Sequence, residues 1–475
     1  MLTDVLDDAT VVILAAGQGT RMKSRLPKVL HRAGGKPLIR HSIDTALEVA
    51  PASRVFVVVG YQAEAVRAES DAGGVGSIHQ TAQLGTGHAV LCGQEQLAQL
   101  GGRLIVSVGD CPLISAGTLL SLAETQRSSG AAAAVITTEV ANPIGYGRMI
   151  RDTAGHLSEI VEEKDCTPQQ RAVREINSGI FCFDAPLFWK HAGEIRPNDK
   201  NGEYYLTDMV AILIRAGHHV VPLKVDDSNE VLGINNRVEL AAADRIIRDR
   251  KVQQLLIGGV TIEKPETVTI DTQVRIGMDS IIGPFAQITG NSVLGENCRV
   301  GACSIIADSE LADGVEVFPF SLITASRLDA KAHAGPFARI RMGAHLLEGA
   351  HVGNFVELKK TRMGAGSKSM HLAYLGDSTI GDKVNIGAGT ITCNYDGQKK
   401  HQTVIGNGVF VGSNSTLVAP LEIESGAYIA AGSTITHNVP SGALAVGRSR
   451  QANKEGWKRK TGAVAVATTT PESTP

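Results

Sequence analysis

The second half of the sequence carries aliphatic residues at a step of six, and this repeat constrains the fold more than any other feature. The step is unbroken from Ile276 to Ile306 and from Ile405 to Ile435, and it returns at Ile340 to Leu358 and at Ile380 and Ile386. One such row arises often by chance in an aliphatic-rich chain, but this many in one half do not. The pattern predicts a parallel β-helix of hexapeptide repeats, whose interior is filled by one aliphatic side chain per short strand.

The repeat is broken at two places. Ile380 follows Leu358 by 22 residues and Ile405 follows Ile386 by 19, and neither spacing is a multiple of six. We therefore expect a loop to leave the coil at each break. Loops on a rigid scaffold commonly carry binding and catalytic residues.

The first half has a different pattern. Residues 11–235 alternate short β-branched runs with helical stretches, which is typical of a mostly parallel sheet covered by helices. Ligands of such sheets bind at the carboxyl ends of the strands.

The stretch Val238–Leu256 has helical spacing without Gly or Pro and ends at Gly258-Gly259, so it predicts a helical linker.

Together these patterns predict an α/β chain in three parts. Residues 1–237 form a Rossmann-like domain, residues 238–258 the helical linker, and residues 259–475 a left-handed parallel β-helix. The tail after about residue 461 is small and polar, and we expect it to be disordered.

Composition excludes several classes of protein. The 52 glycines follow no Gly-X-Y period, and no apolar tract reaches the roughly 18 residues of a spanning helix, so collagen and a membrane span are excluded. The 46 basic and 48 acidic residues give no footprint for nucleic acid. The seven cysteines include no CxxC pair, and the acidic N-terminus does not resemble a signal peptide, so we expect a cytoplasmic protein.

A glycine-rich loop follows the first predicted strand. Gly17-Gln18-Gly19 would let backbone N–H groups approach phosphate oxygens, whose charge Arg21 and Lys28 can neutralise. Residue 22 is Met instead of the third Gly of the Rossmann fingerprint, and the Walker pattern is absent. From these residues alone, an ordinary strand-to-helix turn remains an alternative.

The wider motif set resembles a known family. LAAGQGTRM from Leu14, with the downstream Pro27-Lys28, closely resembles the signature of sugar-nucleotide pyrophosphorylases. Further segments of that family follow in order: Gln80, Gln83–Ala89, Val108–Asp110, Gly145–Arg148, Glu162, Asn177–Gly179 and Gly233–Asn236. With its hexapeptide half, the chain to about Trp457 resembles the bacterial family that combines N-acetylglucosamine-1-phosphate uridylyltransferase with glucosamine-1-phosphate N-acetyltransferase.

The resemblance implies a nucleotidyl transfer in the first domain, from UTP to N-acetylglucosamine 1-phosphate with release of pyrophosphate. Arg21, Lys28 and Mg²⁺ would offset the phosphate charge, and Asp110 and Asn235 are the implied metal ligands. Val108 stands where the family commonly has Tyr. The residues implied to hold the nucleotide are Leu14, Ala15, Ala16, Gly17, Lys28, Gln80, Gly85, Thr86, Val108 and Gly109, and those implied to hold the sugar are Gly147, Glu162 and Asn177.

For the β-helix, the resemblance implies acetyl transfer from acetyl-CoA to glucosamine 1-phosphate. This reaction needs a base, which neutral histidine can supply. His371 matches the family's general base, with Glu357 orienting or polarising it, and Met342 replaces a family proline. The residues implied to hold the sugar phosphate are Arg341, Lys359, Tyr374 and Asn385, and those implied to hold acetyl-CoA are Ala388, Asn394, Tyr395, Ser413, Ala431 and Arg448.

The same resemblance implies a homotrimer joined through the β-helices, with acetyltransferase pockets built between chains, and a product used for peptidoglycan and lipopolysaccharide. The alternative is a single-activity sugar-1-phosphate nucleotidyltransferase whose β-helix only oligomerises or binds an effector. Such a scaffold has no reason to carry Arg341, Lys359 and His371 around its breaks. A solenoid that only binds other proteins would leave Lys28 and Asp110 without purpose.

Overall fold

The computed structural model describes residues 5–458, which form two compact units that divide between Ala325 and Ser326. The tail expected after about residue 461 lies outside these residues. No helix in the described range is long and apolar enough to cross a membrane.

The first unit contains a mainly parallel sheet. The strand Ala9–Leu14 is almost fully buried and pairs in parallel with a strand on each side, as expected where helices cover both faces of a sheet. In order across the sheet, the strands are Val220–Lys224, Ala133–Glu139, Glu175–Asp184, Arg103–Val108, Ala9–Leu14, Val55–Val59 and Gly76–His79. Glu175–Asp184 runs antiparallel to both neighbours and pairs with Arg148–Arg151, which forms a hairpin with Leu157–Val161.

Alternate strand residues enter two apolar cores. Val12 and Val58 belong to one cluster and Val11 and Val57 to the other, because successive side chains point to opposite faces of a strand.

The helices are Leu38–Leu47, Ala63–Gly73, Thr86–Leu91, Gln94–Leu97, Ala116–Ser129, Pro168–Arg171, Ala185–His191, Asp208–Arg215 and Arg237–Ile257. Short 3₁₀ turns lie at Thr20–Met22, Lys28–Leu30, Ala52–Arg54, Glu163–Asp165, Ala192–Glu194, Ser228–Val231 and Pro265–Thr267, and Arg32–Ala33 pairs with Lys36–Pro37.

The helix Arg237–Ile257 occupies the region where the sequence predicts a linker helix. The Asn236 side chain caps it by accepting hydrogen bonds from the N–H groups of Val238 and Glu239 at 2.9 and 3.0 Å, and Gly258 follows its last turn. Arg248 binds Asp244 within the helix and Asp271 on the first coil at 2.9 and 2.7 Å. The Arg248–Asp271 ion pair joins the helix to the coils of the same unit.

Residues 261–324 form coils of short strands in three parallel rows. The strands, row by row, are Thr261–Ile262, Ile281–Ile282, Arg299–Val300 and Glu316–Val317; Thr269–Ile270, Gln287–Thr289, Ile305–Ala307 and Leu322–Thr324; and Arg275–Ile276, Val293–Leu294 and Glu310–Leu311. Ile282, Ile288 and Ile306 are fully buried, as the six-residue step predicts for the interior.

The second unit also has three parallel rows, here named A, B and C. Row A holds His333–Ala334, His351–Asn354, Lys368–His371, Asn385–Ile386, Phe410–Val411, Tyr428–Ile429 and Leu444–Ala445. Row B holds Arg339–Arg341, Glu357–Lys359, Tyr374–Gly376, Ile391–Cys393, Thr416–Val418 and Thr434–Ile435. Row C holds Arg327–Leu328, His345–Leu346, Arg362–Met363, Ser378–Ile380, Thr403–Ile405 and Leu421–Ile423.

The structure corrects one of the two expected loops. Between Leu358 and Ile380 no loop leaves the coil: the strands continue, and partners such as Glu357 and Tyr374 are 17 residues apart. The second break is a loop, as predicted, because Ile391–Cys393 is followed by the irregular segment 394–402 before the strand Thr403–Ile405.

Candidate active sites

The carboxyl ends of the first unit's parallel strands open onto a cavity of about 340 Å³. Residues predicted to bind the nucleotide or metal line most of its wall: Leu14, Ala15, Ala16, Gly17, Lys28, Gln80, Gly85, Thr86, Val108 and Asp110. Gln80 is buried, and its amide donates to the carbonyl of Gly85 at 3.1 Å. Glu203 also lines this cavity, although no motif in the sequence pointed to it.

The glycine loop positions Lys28 at the cavity. Gly19 has a positive φ of 69°, and a Cβ at this position would lie 2.4 Å from Lys28 Cβ. Only glycine therefore combines this backbone conformation with such a close approach. The loop packs against the base of the Lys28 side chain, whose ammonium reaches Asp110.

Cationic and oxygen groups converge at one edge of the cavity. Lys28 Nζ forms an ion pair with Asp110 and lies 3.3 Å from Asn235 Oδ1, to which Arg21 donates at 2.7 Å. The backbone hydrogen bond from Ile234 N–H to the Asp110 carbonyl, 2.9 Å long, brings the Asn235 segment to the carboxyl end of the strand Arg103–Val108. The side-chain oxygens of Asp110 and Asn235 thus both contact Lys28 Nζ. Two oxygens that converge in this way also fit a hard divalent metal ion, which prefers oxygen ligands.

Asn235 is itself held by a residue that the sequence analysis missed. Its N–H donates to Glu239 Oε2 at 2.6 Å, and Asn236 Nδ2 donates to Glu239 Oε1 at the same distance. The sequence signal was available, because Asn followed three residues later by Glu is the pattern of a capping box at a helix N-terminus.

A second cavity of about 200 Å³ adjoins the first, and both are lined by Leu14, Thr86 and Val108. The three predicted sugar-binding residues, Gly147, Glu162 and Asn177, line this second cavity. Val108, which stands where the family commonly has Tyr, therefore lies where the two cavities meet.

Buried polar groups form the floor of the second cavity. Glu162 accepts a hydrogen bond from Thr207 Oγ1 at 3.1 Å, and burial raises the pKa of the Glu162 carboxyl. Asn177 is buried, with its N–H bonded to the Gly147 carbonyl at 2.9 Å. A Cβ at Gly147 would lie 3.3 Å from Ile160 Cγ2 and 3.6 Å from Glu162 Oε1, so this glycine lies directly against the floor. No sequence motif pointed to Thr207.

In the second unit, row B carries three of the four residues predicted to bind the sugar phosphate, Arg341, Lys359 and Tyr374. Arg341 is the register partner of Lys359, and Glu357 is the partner of Tyr374. Arg341 Nε and Nη2 each lie 2.7 Å from Glu357 Oε1, so the carboxylate that was expected to orient the base holds this arginine.

Lys359 is nearly buried and is held by Asp377, a residue that sequence reasoning missed. Lys359 Nζ lies 3.4 Å from Asp377 Oδ2, and Asn394 Nδ2 donates to the same oxygen. Lys400 comes from the loop after Cys393, and its contact with Lys359 lowers the pKa of the Lys400 ammonium. Two cations therefore lie close together beside row B.

His371 is exposed and ends a strand of row A, where its Nδ1 donates to Asn354 Oδ1 at 2.7 Å. Asn385 also lies on row A, as the register partner of Lys368. The structure therefore puts Asn385 on a different row from Arg341, Lys359 and Tyr374.

Four of the six predicted acetyl-CoA residues follow one corner of the coils, immediately after row A, whereas Asn394 and Tyr395 follow the row B strand Ile391–Cys393. Backbone bonds join successive turns of this corner: Gly389 N–H to the Leu372 carbonyl at 3.0 Å, Asn414 N–H to that of Ala388 at 2.7 Å, and Gly432 N–H to that of Ser413 at 2.8 Å. Ala388, Ser413 and Ala431 thus lie along the corner that begins with His371, and Arg448 approaches Gly432. Tyr395 is exposed in the 394–402 loop.

Comparison with known proteins agrees with both halves of the fold. Residues 11–174 match the model of the MobA-like NTP transferase domain, and residues 273–308 and 402–437 match that of the bacterial transferase hexapeptide. These matches, with the parallel sheet and parallel rows, confirm the predicted nucleotidyltransferase domain and left-handed parallel β-helix.

Curated relatives cover nearly the whole chain. A protein named "Bifunctional protein GlmU" from Solibacter usitatus is 60% identical over 451 residues, which is 95% of this chain and 97% of the relative. Proteins of the same name from Koribacter versatilis and Pelobacter propionicus are 48% and 45% identical, with coverage of 95% of this chain and 96% and 98% of theirs. The predicted family is confirmed, and the chain belongs to the GlmU family of bifunctional proteins.

Proposed function

We propose that the two sites perform successive steps of UDP-N-acetylglucosamine synthesis. As a member of its family, the chain is a bifunctional transferase with uridylyltransferase and glucosamine-1-phosphate N-acetyltransferase activities. Acetyl transfer at the β-helix gives N-acetylglucosamine 1-phosphate, which the sheet domain joins to UMP from UTP. The main support for these site assignments is the separate clustering of the two residue sets. One set lies at the adjoining cavities, and the other lies along rows A and B and the corner that follows row A.

The uridylyl transfer needs charge compensation rather than a base. A phosphate oxygen of the sugar phosphate forms the new bond to the α-phosphorus of UTP, and the bond to the pyrophosphate oxygen breaks. Lys28 and Arg21 supply positive charge at this edge of the cavity, while Glu162 and Asn177 offer hydrogen bonds to the sugar.

We assign Mg²⁺ to Asp110 and Asn235. Bound there, the ion would neutralise the leaving pyrophosphate and help to align the phosphates. The support is the pair of oxygens that meet around Lys28 Nζ. Two protein ligands are typical of Mg²⁺ sites that also use substrate phosphates.

The acetyl transfer needs a base. The sugar amine attacks the thioester carbonyl of acetyl-CoA, a C–N bond forms, the C–S bond breaks, and His371 accepts the amine proton. Arg341 and Lys359 bind the sugar phosphate, and Glu357 and Asp377 hold these cations in place before substrate arrives. Acetyl-CoA lies along the corner of Ala388, Ser413 and Ala431.

The acetyltransferase site requires more than one chain in this proposal. Row A carries Asn385, whereas row B carries the other sugar-phosphate residues. The proposal is a homotrimer in which row B of one chain and row A of its neighbour complete each pocket. The described cysteines are free thiols, in keeping with a cytoplasmic enzyme.

A double dissociation tests the assignment. We expect His371→Ala to lower CoA release by roughly 10²-fold or more, because a general base contributes about that much, and to spare pyrophosphate release from UTP. Asp110→Ala should have the opposite effect. Acetylation that survives in His371→Ala would refute the base, and a wild-type chain that never releases CoA would favour the single-activity alternative.

A further inference from the structure

The proposed base has a side-chain partner on the neighbouring coil. His371 ends the strand Lys368–His371, and Asn354 ends the strand His351–Asn354. The two residues are register partners in parallel strands. Their side chains meet, with 2.7 Å between His371 Nδ1 and Asn354 Oδ1.

This contact determines which ring nitrogen can act as a base. An amide oxygen only accepts hydrogen bonds, so Nδ1 must carry the proton. In the neutral ring the lone pair then lies on Nε2. Glu357, the group that the motif resemblance suggested for this task, has its Oε1 within 2.7 Å of two Arg341 nitrogens instead.

We propose that Asn354 is a positioning residue for acetyl transfer, which fixes His371 in the Nδ1–H tautomer and leaves Nε2 free to accept the amine proton. The inference rests on the proposed acetyltransferase function and deepens it. An amide suits this role because it is neutral. A carboxylate at the same place would favour the imidazolium, which cannot accept a proton.

The inference predicts different kinetics for two substitutions. Asn354→Ala should lower kcat for CoA release by about ten- to a hundredfold, part of the roughly 10²–10⁴-fold that a general base contributes, with little change in KM for either substrate. Asn354→Asp keeps an acceptor and should retain most of kcat at high pH. Because its carboxylate favours the imidazolium form of the ring, the acidic limb of its kcat–pH profile should move to higher pH.

Two controls separate positioning from general damage to the coil. Asn407→Ala removes an exposed corner asparagine whose Oδ1 accepts from Asp382 N–H at 2.8 Å, and it should leave CoA release unchanged. Pyrophosphate release by each variant reports whether the chain has folded. A purely structural role for Asn354 would not shift the pH profile of the Asp variant.

A double substitution completes the test. If Asn354 acts through His371, Asn354→Ala should add no further loss to His371→Ala. An unchanged kcat in Asn354→Ala, or an equal further loss in the double variant, overturns the inference and leaves the proposed function intact. CoA release that survives in His371→Ala alone overturns the base assignment and the inference together.

Discussion

At the scale of the residue, Glu162 shows how one side chain changes its meaning between sequence and structure. In the sequence it lies in a run of charges, VEEKD, which is usually a solvated surface. In the structure it lines the second cavity and accepts from Thr207, and burial raises its pKa. Burial of a carboxylate beside a cavity costs solvation free energy, so a carboxylate found there is a candidate for ligand binding.

Glu162→Gln should therefore separate stability from binding. The raised pKa means that the folded chain binds more protons than the unfolded chain between the unfolded pKa of about 4.3 and the higher folded pKa. Stability therefore falls as pH rises through this window, and the cost of this carboxylate is fully present at neutral pH. The glutamine variant should have a higher Tm than the wild type at pH 7, with the difference shrinking toward pH 4. Its KM for N-acetylglucosamine 1-phosphate should rise about ten- to a hundredfold, since a hydrogen bond to a charged group contributes roughly 1.5–3 kcal/mol.

Glu159→Gln is the matched control, because Glu159 is exposed on the strand Leu157–Val161. Calorimetry should show little change in its Tm, as for most surface substitutions. A Glu162→Gln variant that is less stable than the wild type at pH 7 would contradict the argument from burial.

At the scale of the element, the N-terminus of the helix Arg237–Ile257 links folding to the metal site. Asn236 caps the helix, while Glu239 in the first turn binds Asn235. Asn236 and Glu239 thereby hold both the first turn of the helix and Asn235, the proposed metal ligand.

Asn236→Ala should consequently affect both stability and one activity. Loss of the cap should cost about 1 kcal/mol. Because the Asn235 segment loosens, pyrophosphate release should fall and need more Mg²⁺ for half-maximal rate, while CoA release should not change. Denaturant unfolding and a Mg²⁺ titration of both activities measure these effects.

Ser115→Ala provides the comparison for this cap. Ser115 caps the helix Ala116–Ser129 by accepting from Thr118 N–H at 3.1 Å, so its loss should cost a similar free energy of unfolding. Its Mg²⁺ dependence should match the wild type. An identical Mg²⁺ dependence in Asn236→Ala and Ser115→Ala would show that the cap and the metal site are independent.

The coils also show why one predicted loop was wrong. The interior positions from Leu358 to Ile380 are Met363, Ser369 and Leu375, at steps of five and six, and all are fully buried. A corner can lose one residue without turning the next side chain away from the interior, and a small serine can replace an aliphatic residue. The six-residue pattern then fails although the coil continues.

At the scale of the whole molecule, the proposed trimer makes a prediction about mixed assemblies. Arg341→Ala and Asn385→Ala chains should each lose most CoA release. Random mixed trimers of the two should regain about a quarter of the wild-type rate, since one intact row B then meets one intact row A in that share of pockets. Co-expression with two affinity tags, followed by a CoA-release assay, measures this recovery.

Mixed trimers of Arg341→Ala and Lys359→Ala form the control, because both residues lie on row B. No chain of this mixture has an intact row B, so its activity should stay low. Recovery in the control, or none in the test mixture, would show that Asn385 acts within its own chain.

The sequence by itself determined both fold classes, because periodicity records which side chains face an interior. It also identified the family, because LAAGQGTRM and its companion motifs combine residue types that phosphate chemistry requires. The tertiary structure decided which groups meet. Glu357 on Arg341, Asn354 on His371 and Thr207 on Glu162 are contacts between different strands or segments, and they depend on register and backbone path rather than on any local pattern.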